Sequence, residues 1–185
     1  MDKGKIIILN GVSSVGKTTL AKALQDKLPQ PYFHMDVDVF CLMAPDLERF
    51  YNSDDYSLQH NFASNMFDVV KMYSDRGFNL IVPCVFLEGY GFMEKCVTSL
   101  HSYPVLFTHV TCNLDELRRR ERERGDRQIG STESMFSALI PKDVYDITVD
   151  TFNFSTEECA NIIAEKINSI DEFIAFKTLW SQMQS

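Results

Sequence analysis

The sequence predicts an α/β protein with one five-stranded parallel sheet carrying helices on both faces. Three observations lead there. Five short apolar runs occur at 6–9, 32–35, 80–86, 105–110 and 147–149. Segments with helical periodicity lie between them, and strands buried on both faces read as continuous apolar runs of this kind. The first run passes through a glycine-containing turn straight into a helical pattern. A chain of 185 residues is one domain, or one domain with a small appendage, on a prior of roughly 150 residues per domain.

Taken in order, Ile6 to Leu9 is the first strand, and a helix from Lys17 to Leu28 stops before Pro29 and Pro31, which cannot continue it. Tyr32 to Met35 is the second strand. The stretch from Phe40 to His60 is irregular and acidic, an insertion placed to cover a substrate. From Asn61 to Arg76, Phe62, Met66, Phe67, Val70 and Tyr73 share a helical face, with Gly77 as C-cap. The third strand spans Leu80 to Phe86, the fourth Val105 to Val110 and the fifth Ile147 to Val149. Asn113 with Glu116, and Ser155 with Glu158, have the spacing of capping boxes. The residues 1–170 form the main domain, with 37–75 as acceptor-covering region and 118–134 as a lid. Residues 171–185 add an amphipathic helix bearing Phe173, Ile174, Phe176, Leu179 and Trp180, which packs on the same body.

Composition narrows the function. Lys and Arg total 18 against 26 Asp and Glu, a net charge of −8, which speaks against nucleic acid and anionic membrane as partners, since both require a cationic surface. No apolar run reaches the ~20 residues of a membrane span, and the apolar run near the N-terminus is too short for a signal peptide. The five cysteines, Cys41, Cys84, Cys96, Cys112 and Cys159, form no CxxC pair. Reduced thiols in a cytoplasmic protein are the expectation.

The strongest motif is Gly11-Val12-Ser13-Ser14-Val15-Gly16-Lys17-Thr18, which fits GxxxxGK[ST] at every fixed position. Its context matters as much: it follows a strand and opens a helix. Glycines let successive backbone N–H groups converge on phosphate oxygens, and the helix start adds free donors and a positive dipole end. Ser13, Ser14, Val15, Gly16, Lys17, Thr18 and Thr19 are therefore the nucleotide-binding candidates together with Gly11. Lys17 would reach the β- and γ-phosphates, and the Thr18 hydroxyl would ligate Mg²⁺.

The second strand leads into His34-Met35-Asp36-Val37-Asp38. Ligands of open parallel sheets bind beyond the carboxyl ends of the strands, so the two carboxylates share an edge with the phosphate loop. Alternation along an extended chain would put them on one side. One carboxylate can take the proton of an acceptor hydroxyl and the other can hold a Mg²⁺-bound water. A solvated turn is the plainer alternative. His34 reads as a packing residue.

Leu117 to Arg127 carries six arginines in eleven residues: Arg118, Arg119, Arg120, Arg122, Arg124 and Arg127. Three readings are open: a surface helix laced with Arg–Glu pairs, a lid that sets guanidinium groups on a transferring phosphoryl, or a nucleic-acid patch, which the overall charge disfavours. The third strand lacks the Asp that nucleotide hydrolases place at a second strand end. Pro83 and Cys84 stand there, leaving Asp36 or Glu88 for the metal, and Cys84 reads as a small buried residue.

Ile7 to Gly11 leading into Ser13 to Lys17, then Leu28 to Tyr32, Val37-Asp38, Val85 to Leu87, Arg120-Glu121, Arg124 to Arg127, Tyr145-Asp146 and Val149 to Thr151 resemble the chloramphenicol phosphotransferase-like family of P-loop kinases. The resemblance runs from about residue 5 to 168. It implies a three-layer P-loop kinase fold with a nucleoside-monophosphate-kinase-like core and an arginine-rich lid. It further implies transfer of the ATP γ-phosphoryl to a hydroxyl of a small molecule, with ATP and Mg²⁺ as cofactors. Asp38 takes the place of the family's general base, and Arg120, Arg124 and Arg127 that of its lid arginines. Residues 151–155 would lie near adenine. The chain departs from the pattern at Pro83-Cys84, where the family has an Asp pair, and over Phe40 to Tyr73.

The resulting expectation is a monomeric or homodimeric small-molecule O-phosphotransferase. Lys17, Asp38, Arg120, Arg124 and Arg127 would be its catalytic residues, and Thr18 and Asp36 its metal ligands. A nucleoside or nucleotide kinase is one alternative. Arg49 is the sole Arg or Lys between residues 28 and 70, a shortage that weakens a phosphorylated acceptor and favours a neutral one. A nucleotide-binding regulator without phosphotransfer is the other.

Overall fold

The computed structural model describes residues 2–43, 56–125, 129–169 and 173–185, with side chains left out for 56–61. Its elements run β1 (Ile6–Asn10), α1 (Lys17–Lys27), β2 (Tyr32–His34), α2 (Val37–Cys41), α3 (Tyr56–Asp75), β3 (Asn79–Cys84), α4 (Phe92–Leu100), β4 (Val105–Thr111), α5 (Leu114–Arg124), α6 (Ser131–Ala138), β5 (Ile147–Asp150), α7 (Thr156–Lys166) and α8 (Ala175–Gln184). All strand pairs are parallel and the order is β2-β3-β1-β4-β5. The chain builds one side of β1 first and then crosses to the other. The carboxyl end of β1 is therefore the switch point, where open α/β sheets bind ligands.

Alternation along β1 divides the core in two. Ile7 and Leu9 join Ile81, Leu106, Val110 and Val149 beneath Leu20, Ala21 and Leu24 of α1 and Cys159, Ala160 and Ile163 of α7. Ile6 and Ile8 join Leu80, Val82, Val105 and Phe107 against Met66, Phe67 and Val70 of α3, Cys96, Val97 and Leu100 of α4, and Ala175, Phe176 and Leu179 of α8. Helices thus cover both faces.

Several elements differ from the sequence reading. β2 is a three-residue edge strand rather than a buried run through Met35, and Phe33 on it is 50% exposed. Its ring meets Phe78 edge-on. β3 ends at Cys84, not Phe86, because the Asn10 side chain takes over the next partner: its Oδ1 accepts the Phe86 N–H at 3.0 Å. Val37–Cys41 is helical, inside a stretch read as extended and then irregular. α4 and α6 carry little sequence signal, since each starts behind a left-handed glycine, Gly91 and Gly130, with no capping side chain at that position. Ser155 and Glu158 do form a capping box. Asn113 caps α5 through the Asp115 N–H, but Glu116 is held by Arg119 and Arg120 instead of closing a box.

Asp146 fastens the C-terminal helix. Its Oδ1 accepts the N–H groups of Ile174 and Ala175, at 2.8 and 3.0 Å, and its Oδ2 accepts the Phe107 N–H at 2.9 Å. The helix start, whose first amides have no partner within the helix, is thereby capped from the main sheet. Trp180 on the same helix stacks on His101 with ring centroids 4.2 Å apart. No helix among the described residues is long and apolar enough to cross a membrane.

Candidate active site

A cleft of about 720 Å³ opens beyond the carboxyl ends of the strands. Its lining includes residues 13–20, Asp36 to Asp38, Pro83 to Val85, Leu87, Phe92, Arg120, Arg124, Met135, Thr151 and Thr156. That volume falls in the roughly 300–1,000 Å³ range of small-molecule sites.

The loop between β1 and α1 is curled by Ser14 at φ 61° and Gly16 at φ 98°. Gly11 is required for closeness rather than for φ: a Cβ there would stand 2.3 Å from the Val110 carbonyl oxygen of β4. Lys17 folds back over the curl, its ammonium donating to the carbonyls of Gly11 and Val12 at 2.7 and 2.8 Å. The Ser13 and Ser14 hydroxyls are buried in the loop without a hydrogen-bonding partner among the described residues. Buried polar atoms ordinarily have partners, so a loop that presents orphaned hydroxyls and helix-start amides fits the oxygens of a polyphosphate. Thr18 and Thr19 line the same cavity at the start of α1.

The acidic pair is arranged differently from an extended DxD. Asp36 is the N-cap of α2, and its Oδ1 accepts the Asp38 N–H at 3.0 Å. This fixes the first turn that carries Asp38, and both residues still face the cleft. The turn, not strand alternation, brings them together. His34 Nε2 lies 3.8 Å from Asp36 Oδ2, and burial pushes the imidazole pKa down.

On β3, Cys84 is 1% exposed at the cleft wall, and burial pushes its thiol far above the ordinary range. It is a wall, not a nucleophile. Glu88 stands outside the cleft lining, and its N–H donates to the Ala138 carbonyl at 2.9 Å.

The arginine segment sorts into two sets. Arg118 bridges to Asp115 and, through two nitrogens, to Glu133 on α6. Arg119 pairs with Glu116 and Glu123. These are surface struts. Arg120 and Arg124 line the cleft. Arg120 donates from Nε to Glu116 and from Nη1 and Nη2 to the hydroxyl and carbonyl of Thr151. Arg127 and Arg49 lie outside the described residues.

Residues to which the sequence assigned no role complete the site. Asn10, fully buried at the end of β1, donates from Nδ2 to the Ile140 carbonyl and to the Tyr145 hydroxyl, both at 2.8 Å. With its Oδ1 on Phe86 it ties the phosphate loop's base to the wall formed by Val85 and Leu87. An asparagine ending an apolar run directly before the glycine motif was the available clue. Val37, Val85, Leu87, Phe92 and Met135 give the cleft an apolar side. They come from distant segments and share no motif.

The model of the chloramphenicol phosphotransferase-like protein family matches residues 4–168. The chain belongs to the chloramphenicol phosphotransferase-like family. Two Mycobacterium tuberculosis relatives, each described as a "putative O-phosphotransferase", are 28% identical over 204 residues, covering 97% of this chain and 89% of theirs. Among solved structures, the M. tuberculosis APS kinase CysC in complex with AMPPNP and APS has a TM-score of 0.66 at 15% identity, covering 89% of this chain and 98% of its own. A gluconokinase from Sinorhizobium meliloti has a TM-score of 0.61 at 16% identity, covering 97% of each chain. These likenesses establish a P-loop kinase fold. Family and fold together make the protein a kinase-type phosphotransferase.

Proposed function

We propose that this member of the chloramphenicol phosphotransferase-like family moves the γ-phosphoryl of Mg-ATP to a hydroxyl of a small, uncharged, largely apolar acceptor. One observation carries the reading. A single cleft holds the phosphate loop, Lys17, Arg120 and Arg124 together with Asp38 and the apolar surface of Val37, Val85, Leu87, Phe92 and Met135. Among the described residues its cations, Lys17, Arg120 and Arg124, belong to the loop and to α5, which favours an acceptor without a phosphate of its own.

In this reading the amides and hydroxyls of residues 13–19 hold the phosphates, and Lys17 leaves the Gly11 and Val12 carbonyls to meet them. Arg124, with Arg120, stabilises charge that spreads over the transferring group. Asp38 orients the acceptor hydroxyl and takes its proton as the new P–O bond forms and the bond from the γ-phosphorus to the β–γ bridging oxygen breaks, releasing ADP. Among the described residues no cluster of three His, Cys, Asp or Glu side chains exists to hold a metal. Mg²⁺ would come with the nucleotide and be held by phosphate oxygens, the Thr18 hydroxyl and Asp36, in the manner of an ion that keeps much of its water. The ion would supply charge neutralisation between the phosphates.

The test is ATP consumption by the wild type and Asp38→Asn across a panel of neutral hydroxyl compounds, with AMP-PNP binding measured alongside. Acceptor-dependent turnover should fall by about 10²–10⁴-fold in the variant while nucleotide affinity stays within about threefold. Turnover that survives Asp38→Asn removes the base. Binding of AMP-PNP with no turnover on any acceptor favours a nucleotide-binding regulator.

A further inference from the structure

Within the arginine segment, Glu121 does not behave as a surface partner of its neighbours. It is 3% exposed. Its Oε1 accepts the Thr132 N–H at 2.8 Å, the Thr132 hydroxyl at 2.7 Å and the Ser131 hydroxyl at 2.9 Å, and its Oε2 accepts the Gly130 N–H at 2.8 Å. One carboxylate on α5 therefore caps the start of α6, whose own N-cap position is a glycine without a side chain. These bonds hold the carboxyl down to about 2.

The position is informative because it need not be polar. Glu121 follows buried Leu117 by one helical turn, on the face that packs inward. An apolar residue there would add stability more simply, since burying a carboxylate costs desolvation that its donors must offset. What the carboxylate adds is direction: it fixes how α5 and α6 meet. A second polar tie between the two helices, Arg118 with Glu133, is exposed and screened by solvent. The far end of α6 is fixed as well, because Leu87 and Leu139 form an antiparallel bridge and the Ile140 N–H donates to the Phe86 carbonyl at 3.0 Å. Arg120 precedes Glu121 and Arg124 lies about one turn beyond it on the same helix. Both line the cleft.

We infer that Glu121 is a positioning residue for phosphoryl recognition: by locking α5 onto the start of α6 it holds Arg120 and Arg124 at the γ-phosphate end of a bound nucleotide. This rests on the phosphotransferase reading above. It differs from a merely structural role in one measurable way. Loss of the lock should weaken binding in proportion to the terminal phosphate, not to the nucleotide as a whole.

The experiment is calorimetric titration of the full chain with Mg-AMP-PNP and with Mg-ADP, at a temperature where every variant is folded. Glu121→Gln keeps size but places an amide donor against at least one of the donors now facing the carboxylate. It should weaken AMP-PNP by about five- to tenfold and ADP by less than about twofold. Thr132→Val removes one bond, keeps the carboxylate, and should move the same ratio in the same direction if Glu121→Gln does not fold. In an Arg120→Ala/Arg124→Ala background Glu121→Gln should add nothing, since the arginines it serves are gone. Equal losses for the two nucleotides, unchanged affinities, or a full additional loss in the arginine-free background would each overturn the inference. Wild type that binds neither nucleotide would instead overturn the phosphotransferase reading.

Discussion

The Arg120 guanidinium donates from Nη2 to the Thr151 carbonyl at 2.9 Å and from Nη1 to the Thr151 hydroxyl at 3.1 Å. The same hydroxyl lies 2.9 Å from the Val15 carbonyl oxygen, as its donor, and 3.2 Å from that of Thr111. One threonine after β5 thereby joins the arginine helix, the phosphate loop and the end of β4. Arg120 reaches the cleft as part of this junction.

Thr151→Val should therefore disturb two properties together. The Val15 carbonyl loses its donor, which should cost about 1–3 kcal/mol in urea unfolding. The KM for ATP should rise by about three- to tenfold as Arg120 loses one anchor, and Thr151→Ser should recover most of both. A stability loss with unchanged KM would place the junction in the fold alone.

Acid should unfold the protein partly through α5. Four donors from Gly130, Ser131 and Thr132 hold Glu121 at about 2, and hydrogen bonds from Arg119 and Arg120 hold Glu116 at about 2. Both folded values lie below the ~4.3 of an unfolded glutamate, so the unfolded chain binds more protons as pH falls. The stabilisation is complete above that unfolded value and is lost progressively as pH drops toward 2. Urea unfolding from pH 6 to pH 2.5 should show the decline, and Glu121→Gln should flatten it. An unchanged acid limb in the variant would contradict the assignment.

Asp146→Ala should release the C-terminal helix. The amides of Ile174 and Ala175 and of Phe107 lose their acceptor, at about 1–3 kcal/mol. Trp180 is the one tryptophan in the chain and stacks on His101, so its fluorescence reports the event directly. Its emission should shift to the red, and amide exchange should accelerate across 175–184 while β4 stays protected. A Trp180 spectrum identical to wild type would show that packing of Phe176 and Leu179 suffices.

Two glycine substitutions should separate space from backbone conformation. A Cβ on Gly4 would stand 2.0 Å from the Phe78 carbonyl oxygen, whereas one on Gly89 meets nothing within 4 Å among the described residues but sits at φ 83°. Gly4→Ala must displace backbone beside β3 and should cost about 3 kcal/mol, the upper end of the overpacking range. Gly89→Ala should cost about 1–2 kcal/mol, from the left-handed conformation alone. Thermal or urea unfolding of both variants checks the order.

What the sequence determined by itself was local. Apolar runs at strand length, the helix opening at Lys17 and the glycine spacing of the phosphate loop are each set by neighbours along the chain. They predicted the five parallel strands and the phosphate loop, and the resemblance to the family added the kinase-type core. The Ser155–Glu158 box was readable for the same reason, since both partners lie within one helical turn. The tertiary structure decided which of these residues meet. Asp36 and Asp38 share the cleft through an N-cap and a helical turn rather than through alternation, a choice made where β2 leaves the edge of the sheet. Spacing alone does not tell six arginines in eleven residues apart; the family resemblance singled out Arg120, Arg124 and Arg127. Folding supplied the physical difference, because the partners Glu133 and Thr151 lie 15 and 31 residues from Arg118 and Arg120. Glu121 had no role assigned from the sequence, and it is a buried clasp because the glycine start of α6 leaves amides that need an acceptor. Hydrogen-bond supply and demand across the fold settled these roles, and that balance has no signature in a single stretch of chain.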